Sequence, residues 1–281
     1  MRTKIVAFAM VALALFCACN HTPKNASKGR LVLPSAKTLK GDRSVYGLAC
    51  DGCTDSVVVL LPEDGSDPIT YNVIQARHHN KVLGDIRIGD RICLLPNKKD
   101  SKVADIVVDL DDMEGIWCYI VFPKLRAALS QSDAVQRQMI RDLPDSIKEQ
   151  YFIPREYGFW LKPHWQSASV GFVSEQSSLE KQSPVVYPQL GWFTEWHTWN
   201  CKFVMTSGTR KLRRNGNYAV TNLQYDTCDI VFLGPDSLVL SDADGSRSYY
   251  KKKSIFDVNA KARKIAAEQA KAAQEEIKND D

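Results

Sequence analysis

The strand-like run at Gly115–Val121 reads GIWCYIV. Its β-branched and aromatic residues are typical of a buried strand. The run opens a series of short strand patterns spaced about ten residues apart. These patterns cover residues 157–161, 166–173, 196–205, 218–223, 228–233, 237–240 and 246–251. The spacing predicts a meander that closes on itself as an up-and-down β-barrel.

Two segments of this half of the chain have helical patterns. Residues 124–151 carry apolar side chains at helix-like spacings, and Pro144 must interrupt that helix or start a second one. The tail from Asp257 to Asp281 is rich in Ala, Lys, Glu and Gln, which predicts a solvated helix.

Residues 45–110 contain a separate set of strand patterns. Buried or alternating runs occur at 56–61, 68–73 and 103–110, and residues 86–94 are predicted as a strand pair broken at Gly89-Asp90. Short strands without a long helix among them predict a small barrel of the OB or SH3 kind. The predicted fold class is therefore mostly β, with two successive barrels, a helical insertion in the second and a C-terminal helix.

The N-terminus has the pattern of an export signal. Arg2 and Lys4 precede an apolar run from Ile5 to Phe16, which is too short to span a membrane. Ala18-Cys19 then resembles a bacterial lipobox, in which the cysteine receives the lipid. The alternative is a plain signal peptide cut near Ala18, with an unlipidated cysteine. Asn20 follows Cys19 where Asp would favour the inner membrane, so we expect an outer-membrane lipoprotein that faces the periplasm.

These patterns together predict five segments along the chain. They are a signal peptide at 1–18, a lipid-anchored tether at 19–44, a small β-barrel domain at 45–112, a larger β-barrel domain at 113–254 and a charged helical tail at 255–281.

Charge and motifs exclude several function classes. The formal net charge of +4 is too small to indicate a nucleic-acid partner. Nucleophile elbows, phosphate loops and metalloprotease motifs are absent from the sequence. We therefore expect a protein that is not an enzyme and that has no catalytic residues, cofactor or metal. His78-His79 is interpreted as part of a charged loop.

Gly115 and Trp117 form a Gly-x-Trp motif on the first strand of the predicted larger barrel. A Gly-x-Trp strand that opens an up-and-down series resembles the lipocalin (calycin) superfamily. More closely, the chain resembles the lipocalin-like lipoproteins of Bacteroidota, from Met113 to about Ser254 and more loosely over residues 45–110. The resemblance implies that Trp117 packs across the closed end of the barrel against a basic side chain, Lys251 or Lys252. It gives Gly115 and Trp117 a structural role.

Cys50 and Cys53 have the sharpest spacing among the six cysteines that follow the leader. A redox motif would need a thioredoxin-like βαβ context, and a zinc site would need a second ligand pair. Neither is found, which leaves a tight-turn disulfide or two free thiols. Cys201 and Cys228 lie on apolar alternations and are interpreted as buried small hydrophobic residues.

Aromatic residues concentrate between Trp160 and Trp199. Trp192 and Phe193 lie in a loop-like stretch and, with Trp196, are the predicted binding rim. A second set shares one face of a predicted strand and is assigned to the core: Trp199, Cys201, Phe203 and Met205. A basic run at 210–214 is interpreted as a solvated hairpin tip, with contact to an anionic headgroup or glycan as the alternative.

Two functions remain open at this point. The first is a cell-envelope lipoprotein that binds or carries a small apolar ligand in the mouth of its barrel. The second is a structural or assembly lipoprotein whose barrels are filled by side chains and which docks another envelope protein or a glycan. Large inward side chains favour the second, and Trp199, Phe203, Met205 and Phe232 predict a largely filled interior.

Overall fold

The computed structural model of the protein describes residues 39–173, 183–212, 214 and 218–279. The fold is mostly β, as the sequence predicts, and a six-stranded sheet precedes an eight-stranded sheet along the chain. The predicted signal peptide, Cys19 and the tether up to residue 38 lie outside the described residues. The described residues all belong to one compact unit.

The first sheet forms a small barrel. Its strands are β1 (Val45–Ala49), β2 (Val57–Pro62), β3 (Ile69–Asn72), β4 (Val82–Leu83), β5 (Arg91–Pro96) and β6 (Ala104–Asp109). The strand order is β3-β2-β1-β5-β6-β4, and a parallel bridge between Asn72 and Val103 brings β3 to β6. A meander whose third strand meets the last one in parallel is the OB arrangement, one of the two predicted alternatives.

The second sheet forms an up-and-down barrel. Its strands are β7 (Gly115–Val121), β9 (Arg155–Leu161), β10 (Ser167–Val170), β12 (Trp192–Trp199), β13 (Lys202–Leu212), β14 (Tyr218–Leu233), β15 (Ser237–Asp242) and β16 (Gly245–Lys252). Strand β16 pairs with β7, and an antiparallel bridge between Gln166 and Glu195 brings the β10 edge to β12. The barrel is therefore nearly closed and lipocalin-like, as predicted. Two further strands, β8 (Lys124–Leu125) and β11 (Val185–Val186), form a separate ladder.

The helices are short except for the last. They are α1 (Ile74–His78), α2 (Leu110–Met113), α3 (Asp133–Arg141), α4 (Asp145–Tyr151) and α5 (Ala260–Asn279). Pro144 precedes α4 directly, so it starts a second helix in the insertion. The predicted domain boundary between residues 112 and 113 falls within α2.

A hairpin at Asn200-Cys201 corrects the prediction of one strand over residues 196–205. Both residues have positive φ angles, 50° and 57°, so the chain reverses there from β12 into β13. Cys201 therefore lies in the turn and not on a strand face with Phe203. Two-residue hairpin loops of this kind favour Asn and Gly. A cysteine at the second position of the loop does not indicate a turn. The alternating apolar residues on both sides of it therefore predict one continuous strand.

Two other strand predictions are also corrected. Residues 218–233 form one long strand, where the sequence predicts two, because the intervening polar residues continue the pairing with β13. Residues 86–88 are not in a strand, and only Arg91–Pro96 of the predicted pair is one. Arg87 begins a turn instead, because its backbone N–H donates to the Asp90 carboxylate over 2.6 Å.

A hydrophobic cluster is shared by the two barrels. It contains Tyr46 and Cys93 on the outer face of the small barrel together with Trp117 and Phe203 of the larger one. The Tyr46 ring meets the Trp165 ring edge-on, with 6.1 Å between centroids. The small barrel therefore covers the end of the larger barrel at which β7 begins.

Candidate functional site: the mouth of the larger barrel

The covered end of the larger barrel is built around Trp117. This side chain is fully buried, and its indole N–H donates to the Met113 carbonyl over 2.7 Å. Lys251 Nζ lies 4.8 Å from the ring centroid and donates to the Asp112 carbonyl over 2.9 Å. Gly115 has a φ of +139°, and a Cβ atom there would collide with Lys251 Cε. Gly115 thus leaves space for the Lys251 stem, and Trp117, two residues later, provides the ring that the ammonium group contacts.

Large side chains fill the interior above Trp117. Phe159 stacks on Phe203 with 5.8 Å between ring centroids, and Phe193 and Tyr249 lie 5.9 Å and 5.0 Å from Phe159. Trp196 is 1% exposed and belongs to the same cluster. The barrel therefore has a packed interior up to the level of Phe159, which leaves room for a ligand only nearer the opposite end.

Phe232 departs from its predicted inward position. It is 51% exposed, because a register shift between Ile230 and Phe232 turns its side chain outward. Trp199 is half-buried, and its indole N–H donates to the Lys40 carbonyl over 3.3 Å. Of the predicted inward set, Phe203 and Met205 are buried in the shared cluster.

A cleft of about 710 Å³ lies at the open end of the larger barrel. Its walls come from β9, β12, β13 and the segment around β11. The residues that line it include three arginines and several aromatic and aliphatic side chains: Arg126, Arg155, Arg210, Tyr157, Phe172, Val173, Val185, Val186, Tyr187, Pro188, Leu190 and Trp192. None of the described lining residues is acidic.

Two of the arginines lie against aromatic rings in this cleft. The Arg155 guanidinium carbon is 3.5 Å from the Tyr187 ring centroid, and that of Arg210 is 4.5 Å from the Trp192 centroid. The Tyr187 hydroxyl donates to the Ile153 carbonyl over 2.6 Å, and its burial raises its pKa. Stacking holds each guanidinium group over the face of its ring, so Arg155 and Arg210 have fixed positions beside the apolar surface of the cleft.

The three predicted rim residues have different positions in the structure. Trp192 lines the cleft, and Phe193 turns inward onto Phe159. Trp196 does not lie at the rim, since it is buried and its indole N–H donates to the Lys162 carbonyl over 3.0 Å. The stretch is strand β12 rather than a loop, and successive side chains point to opposite faces.

Sequence reasoning missed the three arginines as a group. Arg126, Arg155 and Arg210 are far apart in the chain, and only barrel closure and the β8–β11 ladder bring them together. Arg210 lies in β13 within the basic run that the sequence singled out. Its neighbour Arg213 lies outside the described residues.

The cysteine and histidine pairs of the small barrel show no ligand-binding geometry. Cys50 and Cys53 are both free thiols, and the Val59 N–H donates to Cys53 Sγ over 3.3 Å. His79 Nδ1 lies 2.8 Å from the Gln75 carbonyl oxygen. In the described ranges, no group of three or more His, Cys, Asp or Glu side chains could hold a metal ion. No described helix has the length and apolar character needed to cross a membrane.

The fold and the cleft together define a class: a lipocalin-like barrel preceded by an OB-like barrel. No protein-family model matches the chain, and no curated protein sequence matches it. Among solved structures, the chain is similar to a lipocalin-like protein from Bacteroides thetaiotaomicron, with 16% sequence identity and a TM-score of 0.25. That similarity covers 50% of this chain and 95% of the other.

Proposed function

We propose that the protein is a cell-envelope lipoprotein that binds a small anionic amphiphile in the mouth cleft of its larger barrel. The observation that supports this most directly is the cleft of about 710 Å³ that combines three arginines with aromatic and aliphatic walls. Clefts of this size suit small molecules. A fully apolar ligand, the expectation from the sequence, fits less well because the interior below the cleft is packed.

The arrangement of charge supports an anionic group as the polar part of the ligand. Arginine binds carboxylate, sulfonate and phosphate groups through paired N–H donors. Arg155 and Arg210 are held against Tyr187 and Trp192, which reduces the entropy lost when an anion binds. The apolar walls then take the hydrocarbon part of the same molecule.

A titration with a matched pair of probes tests this proposal. We expect dodecanoate to bind the full chain and dodecanol to bind at least about tenfold more weakly, because only the carboxylate pairs with arginine. Arg210→Met should weaken dodecanoate binding by a similar factor and leave dodecanol unchanged. Isothermal titration calorimetry measures both.

Arg247→Met is the matched control for that variant. Arg247 also lies over an aromatic ring, 4.5 Å from the Tyr119 centroid, but it does not line the cleft. The control should bind dodecanoate like the unchanged protein. Equal affinity for dodecanoate and dodecanol, with no effect of Arg210→Met, would contradict an anion site and return the proposal to an apolar ligand.

The lipid anchor is a separate part of the proposal. Cys19 follows Ala18 at the end of an apolar run, which is the pattern of a lipidated cysteine. Acylation would hold the protein to the membrane without a spanning helix. We expect Cys19→Ser to move the protein from the membrane to the soluble fraction. A mutant that still sediments, together with a wild type that takes up no labelled palmitate, argues against the anchor.

The packed interior favours a second candidate, a structural lipoprotein that docks another envelope component. Phe122 is 65% exposed beside a depression of about 700 Å³ at the helical insertion, which adds apolar surface outside the barrel. For an anionic glycan partner, Arg210→Met would reduce retention on immobilised polygalacturonate, while dodecanoate would not bind at all. These two measurements separate the two candidates.

A further inference from the structure

Two buried thiols meet where the small barrel contacts the larger one. Cys93 lies on β5 and Cys201 lies in the turn between β12 and β13, and their sulfur atoms are 3.2 Å apart. Cys93 is 0% exposed and Cys201 is 2% exposed. Among the six cysteines in the described part of the chain, these two alone have sulfur atoms within hydrogen-bonding distance of each other.

The turn that carries Cys201 is held against the small barrel by hydrogen bonds. The Cys201 N–H donates to Ser44 Oγ over 3.1 Å, and the Asn200 N–H donates to Asp42 Oδ1 over 2.8 Å. Asp42 also accepts from the Tyr46 hydroxyl over 2.6 Å. Tyr46 pairs with Cys93 across the β1–β5 ladder. The same few residues therefore fix the backbone on both sides of the sulfur pair.

We propose that Cys93 and Cys201 form a disulfide that covalently joins the two barrels. A disulfide has about 2.05 Å between its sulfur atoms, so the two sulfur atoms need to approach by only about 1 Å. Because the residues are 108 positions apart, local turn geometry cannot account for their proximity.

The two thiols differ in acidity in the folded protein. Burial opposes ionisation of both, but hydrogen bonds from Cys201, Thr198 and Ser44 lower the pKa of the Cys93 thiol. Burial and the neighbouring Cys93 raise the pKa of the Cys201 thiol well above its ordinary value.

The oxidant is a small or protein-borne disulfide, such as oxidised glutathione. The thiolate of one of the two cysteines attacks one sulfur of the oxidant, which releases one thiolate and leaves a mixed disulfide on that cysteine. The thiolate of the other cysteine then attacks the protein sulfur of the mixed disulfide and releases the second thiolate. The protein loses two protons and two electrons, and the oxidant becomes two thiols. Since both sulfurs are buried, the reaction takes place while the chain folds or when the two barrels separate.

Peptide mapping of the full chain tests the bond directly. The reduced protein is unfolded, refolded in a buffer of reduced and oxidised glutathione, unfolded again in denaturant that contains N-ethylmaleimide, and digested without reductant. We expect a peptide that links Cys93 to Cys201. Closing so long a loop should raise the Tm of the oxidised protein above that of the reduced protein by about 10 °C.

Variants separate this bond from the other cysteines. Cys201→Ser and Cys93→Ser should each remove the Tm difference, whereas the double variant Cys50→Ser/Cys53→Ser should retain it. Mapping of the unchanged protein is decisive if a variant fails to fold. The proposal is overturned if Cys93 and Cys201 both carry N-ethylmaleimide after the oxidised protein has been unfolded in its presence, or if the Tm difference persists in Cys201→Ser. Neither result depends on the amphiphile site.

Discussion

Trp117 is positioned by three residues from different parts of the chain. Met113 O accepts its indole proton from the end of α2, Lys251 lies over its ring from β16, and Gly115 leaves the space that the lysine stem occupies. A short motif is informative here because each of its residues meets a separate steric or electrostatic requirement. The resemblance based on Gly115 and Trp117 therefore also indicates the position of Lys251.

Trp117→Ala should destabilise the full chain by roughly 3–5 kcal/mol, because it empties a large, fully buried site. A urea titration followed by circular dichroism measures the loss. Trp192→Ala is the matched control, since it makes the same change at the half-buried cleft wall, and it should cost much less. A loss below about 1 kcal/mol for Trp117→Ala would contradict a closing role for this residue.

Asp109 should give the protein a pH-dependent stability. It is 1% exposed, it caps α2 by accepting from the Asp111 and Asp112 N–H groups, and its Oδ2 has no hydrogen-bond partner. Burial, with the nearby charges of Asp112 and Asp90, raises its pKa to about 7. The folded state therefore holds a proton that the unfolded state releases near pH 4, so this contribution to stability is lost as pH rises from about 4 to 7.

Asp109→Asn should stabilise the protein by on the order of 1–2 kcal/mol at pH 8 and by nothing near pH 4. The amide keeps the capping oxygen and carries no charge, while its NH₂ group still lacks a partner, which limits the gain. Urea titrations at both pH values measure the difference. Asp105→Asn, an exposed change on the same strand, is the control. A variant whose stability follows that of the wild type at every pH would count against a buried proton on Asp109.

The strands and helices of this chain differ in how far local sequence determines them. Strands β7, β9 and β15 follow from apolar runs with clear ends, and Pro144 starts α4 for a local reason. The reversal at Asn200-Cys201 does not follow from local sequence, because it depends on contacts from Asp42 and Ser44, which are distant in the chain. The cleft arginines are likewise brought together only by barrel closure, so their clustering could not be predicted from the sequence.

Asn259 connects the segment before α5 to strand β9 of the larger barrel by hydrogen bonds. Its side-chain carbonyl accepts from the Glu156 N–H over 2.6 Å, and its amide donates to the Glu156 and Gly171 carbonyls over 2.9 Å and 2.8 Å. Glu156 in turn binds Lys252 Nζ over 2.6 Å. Burial opposes ionisation of Glu156, but the hydrogen bonds from Lys252 and Tyr250 lower its pKa below the usual value.

Asn259→Ala should cost roughly 2–4 kcal/mol, because it leaves buried backbone groups without partners and because Ala tolerates a φ of 57° less well than Asn does. Asn259→Gly separates the two effects, since it tolerates that backbone and lacks the side chain. Lys261→Ala, in the exposed first turn of α5, should be nearly neutral. Hydrogen exchange at the Glu156 amide should increase in both Asn259 variants. An unchanged exchange rate there would show that the segment does not depend on Asn259.

At the scale of the whole molecule, the two barrels share a cluster rather than having wholly separate cores. Leu110 and Met113, at the predicted domain boundary, both belong to that cluster. Val258 and Asn259, which pack on the outside of the larger barrel, lie beyond its predicted end at residue 254. The division into separable domains stays a prediction, but the shared contacts indicate that unfolding of one barrel should affect the other.

The distribution of tryptophan allows that coupling to be measured. All six tryptophans lie between residues 117 and 199, so their fluorescence reports on the larger barrel and on its contacts with the small barrel. Leu60 is fully buried in the core of the small barrel. Under reducing conditions, Leu60→Ala should remove about 2–5 kcal/mol. If the barrels unfold together, Leu60→Ala should lower the urea midpoint of the tryptophan fluorescence transition. We expect the same direction of change for Leu238→Ala within the larger barrel. A fluorescence midpoint that stays unchanged, while circular dichroism shows an earlier second transition, would mean that the barrels unfold independently.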